Sequence, residues 1–340
     1  LLKATALYGA NASGKSNLIS AMFFFEQYIF SQFINKKENE DFASNKMDMK
    51  IKLEPFELSN DINNASEFDI IFLHNNKQIQ YGFECTSKEV LNEWLFIDDK
   101  KVFERAGKKL SFGNKYQKML EDYKKLPAER LYIAVLEYFL DEEPKKMILG
   151  DFLSFFIQKY NVFTEIFFEI TVKGLAGMVG ISKKLVNNKS YRKKVEQYLR
   201  LIDVGIKRLD VQTETILDEH TGKKKKEKIV RTVHDIYDED GNIVGEKLFD
   251  LQQESTGTLR FLAYIQNIIE MISKGGVFIV DEMSARLHPL LTKLIVDIFC
   301  SSQNKKAQLI FTTHDISLLN KEQFRRDEVV FVDKNERGES

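Results

Sequence analysis

The chain has 340 residues, 43% of them hydrophobic, enough for one large or two modest cores. Lys+Arg 50 against Asp+Glu 51 leave a formal charge of −1, so no global basic field draws the chain onto nucleic acid; only a local basic patch could. Cys85 and Cys300 stand in unrelated segments without a metal motif, and no apolar run approaches the ~18 residues of a membrane helix. The chain therefore reads as a reduced, cytoplasmic protein with no membrane partner.

In chain order, Leu1 to Tyr8 reads as a buried strand, and Asn17 to Phe23 opens an amphipathic helix. Between them Gly9-Ala10-Asn11-Ala12-Ser13-Gly14-Lys15-Ser16 completes a G-x-x-x-x-G-K-[ST] loop. That spacing turns successive backbone N–H groups toward a β-phosphate at the N-terminus of the helix. Gly9 and Gly14 allow backbone positions that a side chain would block. Lys15 reaches the β- and γ-phosphates, and the Ser16 hydroxyl is the expected Mg²⁺ ligand. Gly9, Asn11, Ala12, Ser13, Gly14, Lys15, Ser16 and Asn17 are thus the candidate nucleotide contacts.

Residues 35–49 are polar and predict a surface loop. Lys50 to Leu58, Glu67 to His74 and Lys77 to Thr86 alternate like antiparallel strands, with Asn75-Asn76 as a tight turn and His74 as a turn residue. Leu95 to Ile97 and Lys101 to Phe103 continue this lobe around Asp98-Asp99. From Lys115 to Lys194 the rhythm is helical, broken by Pro127, Pro144 and Gly174–Gly180. Phe152, Phe155, Phe156, Tyr160, Phe163 and Phe167 recur at helical spacing, and sustained heptads are missing. A compact helical insertion follows, either docking a partner or only packing on the rest. The expected divisions are residues 1–115, 116–204 and 205–340.

Ile206 to Leu217, Ile229 to Tyr237 and Ile243 to Phe249 read as strands, the last two joined by Asp240-Gly241-Asn242. Asp218-Glu219-His220-Thr221-Gly222 and the run Lys223–Lys226 lie at the first hairpin tip, where the lysines either touch a phosphate backbone or form a solvated loop. His220 and His234 show no metal partners at useful spacing. Glu254-Ser255-Thr256-Gly257-Thr258 opens a helix that runs from Phe261 to Ile272, with Ser255 as its cap and Gly257 exposing N–H groups. Either it is an ordinary capped helix, or Ser255, Gly257 and Thr258 form a second phosphate grip used in trans. Gly276 to Val280 is a short buried strand delivering Asp281 and Glu282 at its carboxyl end. An Asp there holds Mg²⁺ through water, and the Glu polarises an attacking water. Ala307 to His314 is a second such strand, one helix later as in a βαβ crossover, and it brings His314 toward the γ-phosphate.

These residues resemble the ABC-type head ATPases, the class that includes SMC proteins and RecF-like repair ATPases. More narrowly, the chain resembles the AAA-15/AAA-21 group of prokaryotic ATP-binding proteins related to OLD-family ATPases, common in anti-phage systems of Septu, PARIS and Rlo type. The resemblance rests on Tyr8 to Asn17, Glu54-Pro55-Phe56-Glu57-Leu58, Tyr81-Gly82-Phe83, Asp203-Val204-Gly205-Ile206 and Glu254 to Thr258. It rests equally on Asp281-Glu282, Leu287-His288-Pro289 and Thr312-Thr313-His314. It implies an α/β fold: a P-loop ABC/SMC-type ATPase head with an antiparallel β-lobe and a helical insertion. It also implies ATP and Mg²⁺ as cofactors, and a homodimer or higher homo-oligomer with ATP sandwiched between heads. Met283-Ser284-Ala285-Arg286 replaces the family's acidic D-loop residue, and the Q-loop belongs near Pro55 and Phe56. Such a head normally places a strand pair before its P-loop strand, and an effector domain either never existed or lies beyond Ser340. The leading expectation is an ATP-driven switch in antiviral defence acting on an effector nuclease or toxin. The alternatives are a RecF/SMC-like DNA-repair ATPase, with DNA or RNA as a less favoured partner, and a non-hydrolysing scaffold held together by ATP.

Overall fold

The computed structural model describes residues 2–33, 53–54, 65–164, 181–201, 205–217, 224–285, 287–320 and 323–336. The chain begins with β1 (Ala4–Tyr8) and α1 (Lys15–Phe33). Next come β2 (Ser66–His74), β3 (Lys77–Cys85), β4 (Val90–Ile97), β5 (Lys100–Ala106) and β6 (Lys109–Phe112). Helices α2 (Gln117–Leu120), α3 (Tyr132–Phe139) and α4 (Glu142–Gln158) lead to β7 (Tyr160–Phe163). Helices α5 (Lys183–Asn187) and α6 (Lys189–Leu201) precede β8 (Ile206–Leu217), β9 (Lys224–Tyr237) and β10 (Ile243–Asp250). The chain closes with α7 (Thr256–Lys274), β11 (Val277–Val280), α8 (Pro289–Cys300), β12 (Gln308–Thr312) and β13 (Val329–Phe331). Residues divide into two compact units, 1–11 with 161–332 and 12–160 with 333–340.

The first unit holds a five-stranded sheet in the order β13-β1-β12-β11-β7. β12 runs parallel to both β1 and β11, and β13 runs parallel to β1. Register sets Ala4 and Phe278 beside Leu309, and Ala6 and Val280 beside Phe311, all buried. Small residues on β1 leave room for the large ones on its neighbours, so the row fills without voids. Phe261, Tyr264, Ile265 and Ile268 of α7, and Ile295, Val296 and Phe299 of α8, belong to the same core. The crossover from β11 through α8 to parallel β12 is the one the sequence predicts. A second, antiparallel sheet has the order β10-β9-β8. Helix α6 buries Tyr191, Val195 and Leu199, spaced one turn apart, in one cluster with Leu209 and Val230.

The second unit is built on the antiparallel meander β2 to β6. Asn75, Asn76, Asp98 and Asp99 all have positive φ, as two-residue hairpins with the right-handed strand twist require. Aromatic rings hold α1 to this sheet: Phe25 stacks on Phe83 at 5.4 Å, and Phe24 on Phe68 at 5.1 Å. From α4, Phe155 stacks on Phe72 at 4.0 Å and Phe152 meets Tyr81 edge-on.

Several expectations are corrected. Of the described helices between 116 and 204, α2 to α4 fall in the second unit and α5 and α6 in the first. The aromatic stripe does not stay on one helix. It ends with α4 at Gln158, and Tyr160 and Phe163 sit in β7, which adds an edge to the parallel sheet. Pro144 does not break a helix, because it sits in the first turn of α4 where its missing N–H has no intrahelical partner to lose. Lys224 to Lys226 lie within β9 rather than at a loop tip. His74 is buried and hydrogen-bonds Ser154 Oγ at 2.6 Å; burial and Lys159 hold its pKa below the usual value. The expectations for residues 35–49, the strand from Lys50 to Leu58, Pro55–Leu58, Phe167, Gly174–Gly180, Asp203-Val204, the tip Asp218–Lys223 and Arg286 lie outside the described residues.

Candidate functional site

The glycine-rich loop begins where β1 ends, and α1 starts at Lys15. Ala12 has φ 63° and Gly14 has φ 103°, the second a conformation that only glycine adopts without strain. Leu18 N donates to Gly14 O at 3.1 Å, closing the first helical turn. Lys15 is only 5% exposed, and its Nζ donates to Ser13 Oγ at 3.4 Å. Asn11, Ala12, Ser16 and Asn17 are exposed, and Gly9 is half-buried. The first turn of α1 carries no acidic residue, so no side-chain carboxylate there offsets the positive end of this 19-residue helix. A buried lysine at the N-terminus of a helix that lacks an acidic first turn has the charge distribution of an anion cradle.

In the first unit the strand ends gather the acidic groups. Asp281, half-buried after β11, accepts a hydrogen bond from Thr312 Oγ1 at 2.6 Å. The same Thr312 oxygen accepts from Glu282 N at 2.7 Å, and Thr312 O accepts from Met283 N at 3.0 Å. One buried threonine thus fixes both the carboxylate of Asp281 and the backbone of Glu282. Glu282 takes φ 47°, a left-handed conformation that costs a non-glycine residue energy, and its side chain is exposed. Thr313 repeats the device: its hydroxyl pairs with Ser284 Oγ at 2.8 Å and accepts from Asp315 N at 3.0 Å. Tyr8, the last residue of β1, donates through its hydroxyl to Asp315 O at 2.9 Å; burial, reinforced by Asp315, pushes its pKa up to about 12. These bonds fix the turn on which His314 stands exposed.

Ser255 caps α7 as expected, its Oγ accepting from Thr258 N at 3.1 Å. Ser255 and Thr256 are exposed, Gly257 is half-buried, and Thr258 is buried with its hydroxyl 2.8 Å from Ser255 Oγ. The first turn of α7 also lacks an acidic residue. His288 is a capping residue, its Nδ1 accepting from Leu290 N at 3.3 Å at the start of α8.

The structure brings Asp281, Glu282 and His314 to the ends of neighbouring strands, and Ser255, Gly257 and Thr258 to one helix end. Thr312, Thr313 and Tyr8 belong to motifs that carry the resemblance, but their role as positioning residues could not be read from spacing, because it depends on which strand ends lie side by side. Among the described residues no group of three or more His, Cys, Asp or Glu could hold a metal by itself. Mg²⁺ on a nucleotide needs only one or two protein oxygens beside phosphate oxygens and water. Ser16, with an exposed hydroxyl, and Asp281, with a half-buried carboxylate, are each taken singly oxygen donors of the kind Mg²⁺ accepts. Among the described residues no helix is long and apolar enough to cross a membrane.

A strand, glycine-rich loop and helix, joined in one chain to a parallel sheet with acids at a carboxyl end, define an α/β P-loop ATPase, a nucleotide-hydrolysing enzyme that binds ATP. Residues 4–118 and 182–320 match the family described as "AAA domain, putative AbiEii toxin, Type IV TA system", and the chain belongs to that family. No curated protein sequence matches the chain. Among solved structures it is similar to an Smc head bound to the C-winged helix domain of ScpA, at 13% identity and a TM-score of 0.44, covering 98% of this chain and 88% of that one. It is similar to the SMC head domain from Thermotoga maritima at 13% identity and a TM-score of 0.37, covering 92% and 80%. It is also similar to the Pyrococcus furiosus Smc head domain with an extended coiled coil, bound to the C-terminal domain of ScpA, at 13% identity and a TM-score of 0.43, covering 98% and 88%.

Proposed function

We propose that the chain is an ATP-operated switch in which two copies close on shared nucleotide. Lys15 and the N–H groups of Gly9 to Asn17 hold the phosphates of ATP, and Ser16 and Asp281 hold Mg²⁺, which neutralises phosphate charge when bound. Glu282 orients and deprotonates the water that attacks the γ-phosphorus, releasing ADP and phosphate, and His314 hydrogen-bonds the γ-phosphate. Ser255, Gly257 and Thr258 of the second copy complete the cradle. The observation that carries this reading is the pair of helix ends, α1 and α7, each lacking an acid in its first turn. Each chain thereby offers two anion-receptive termini, which a nucleotide sandwiched between two chains would use.

The test is solution mass by light scattering for Glu282→Gln, with and without Mg-ATP. Doubling with ATP, abolished by Lys15→Ala, supports the switch. A mass indifferent to ATP overturns it in favour of the constitutive scaffold.

For the cellular role, the observations favour an SMC/RecF-like head acting on DNA. In the β8–β9 hairpin Lys226 pairs with Thr215 and Lys228 with Thr213, while Glu214 pairs with Glu227. Strand alternation therefore puts Lys224, Lys226 and Lys228 with two threonines on one face and the two acids on the other. A face of lysines and hydroxyls suits a phosphate backbone. DNA should raise the ATPase rate, and Lys224→Glu with Lys226→Glu should remove the rise; a rate unaffected by DNA would refute this role. The second reading, a switch over a nuclease or toxin in phage defence, is favoured by the description of the matched family. It predicts ATP-dependent growth arrest on expression, lost in Lys15→Ala.

A further inference from the structure

Glu254 stands immediately before the α7 cap, and its side chain is only 7% exposed. It turns to the three-stranded sheet. There Glu254 Oε1 accepts from His234 Nε2 at 2.7 Å and from the Thr232 hydroxyl. Both donors lie on β9, the central strand of that sheet. Thr232 is fully buried, and the His234 ring packs on Phe249 at 4.6 Å, so neither donor is free to follow a moving carboxylate. The other end of the same turn is also tied to β9. Arg231 Nε donates to Asp250 Oδ1 at 2.7 Å, and Asp250 N donates to Gln253 Oε1 at 2.9 Å. The 3₁₀ turn Leu251–Gln253 between them is thereby fastened to one strand at both ends. A core-facing acid with two well-placed donors is uncommon next to an exposed cap, since burying a carboxylate is costly unless its partners are in place.

We propose that Glu254 is a positioning residue for ATP-driven closure: held by Thr232 and His234, it sets the direction in which Ser255, Gly257 and the free N–H groups of α7 face a nucleotide on the second copy. This rests on the shared-nucleotide reading above. Glu254 touches no nucleotide, so its loss weakens closure and leaves the affinity of a single copy for nucleotide in place. A merely structural role would lower both together.

The experiment uses the full chain in the Glu282→Gln background, with Mg-ATP. Self-association is read by light scattering, and single-copy nucleotide binding by a fluorescent ATP analogue at dilution. Glu254→Ala is expected to raise the dimer dissociation constant about tenfold or more, the scale of a lost charge-assisted bond, with analogue affinity kept within about twofold. The double variant Thr232→Val with His234→Leu, which leaves Glu254 itself intact, is expected to do the same. Glu254→Gln keeps an acceptor oxygen for both donors and should rescue most of the loss. Normal association of both Glu254→Ala and the double variant overturns the proposal. So does analogue affinity falling in step with association. Ser255→Asp separates the two claims, because Asp caps a helix as well as Ser does but repels a phosphate. If Ser255→Asp associates normally, the shared-nucleotide reading itself fails; if it does not while Glu254→Ala does, only the role of Glu254 fails.

Discussion

The parallel sheet and the antiparallel meander treat their polar groups in opposite ways. In the parallel sheet no strand carries an acid, and Asp281 and Glu282 follow the carboxyl end of β11, where Glu282 is exposed with φ 47°. In the meander, Glu93 sits inside β4 with no exposure at all. There it accepts from Ile133 N at 2.9 Å, from Tyr81 Oη at 3.0 Å and from Tyr132 N, so it caps α3 from the sheet. Arg105, equally buried, stands 3.9 Å away and donates to the carbonyls of Gly107 and Arg130. Burial pushes the Glu93 carboxyl up to about 7, against the pull of the two amides, Arg105 and Tyr81. A satisfied, enclosed acid serves the fold, whereas an exposed acid on a strained backbone is free for chemistry. The comparison assigns a role to each carboxylate.

Four substitutions test that division. The largest effect belongs to Glu282→Gln, which should slow steady-state ATP hydrolysis roughly 10²–10⁴-fold while ATP binding persists. A wild-type rate would remove Glu282 as the base. Lys15→Ala should cost the cradle its buried cation, about 2–5 kcal/mol of ATP affinity by calorimetry. On the meander side, Arg105→Met should leave hydrolysis per folded molecule unchanged but cost about 3–5 kcal/mol in urea unfolding, because it strands Glu93 and two carbonyls. A stability loss below about 1 kcal/mol would mean that the buried pair contributes little. The smallest effect is a pH slope. Between the ordinary value of 4.5 and about 7, folded Glu93 holds a proton that the unfolded chain has released. Stability therefore falls as pH rises through that window, by at most about 1.4 kcal/mol per unit, and levels off above it. Glu93→Gln should flatten that part of the unfolding profile; an unchanged slope would place the titration elsewhere.

Much of this was legible in the residues because it is local. The loop from Gly9 to Ser16, the Asn75-Asn76 and Asp98-Asp99 turns and the Ser255 cap each follow from a few adjacent side chains. The strand before Asp281 and the one before His314 follow from short apolar runs of the right length. Illegible were features that need a neighbour far away in the chain. The Tyr160–Phe163 segment continues the helical rhythm of α4 in sequence, yet its backbone is taken by an empty sheet edge, with Asp281 N donating to Phe163 O at 3.1 Å. Glu93 lies outside the expected strand Leu95 to Ile97 and belongs to no motif, and only the arrival of α3 turns it into a buried cap.

By itself the sequence determined the phosphate loop, the acids that follow β11 and the class of fold, because backbone conformation and phosphate contacts depend on residue type over spans of about ten residues. Tertiary structure alone decided how those groups are held. Thr312 fixes Asp281 and Glu282 from 31 and 30 residues away, and Thr232 and His234 fix Glu254 from 22 and 20. A hydrogen bond across strands depends on register, and register is settled only when the whole sheet packs.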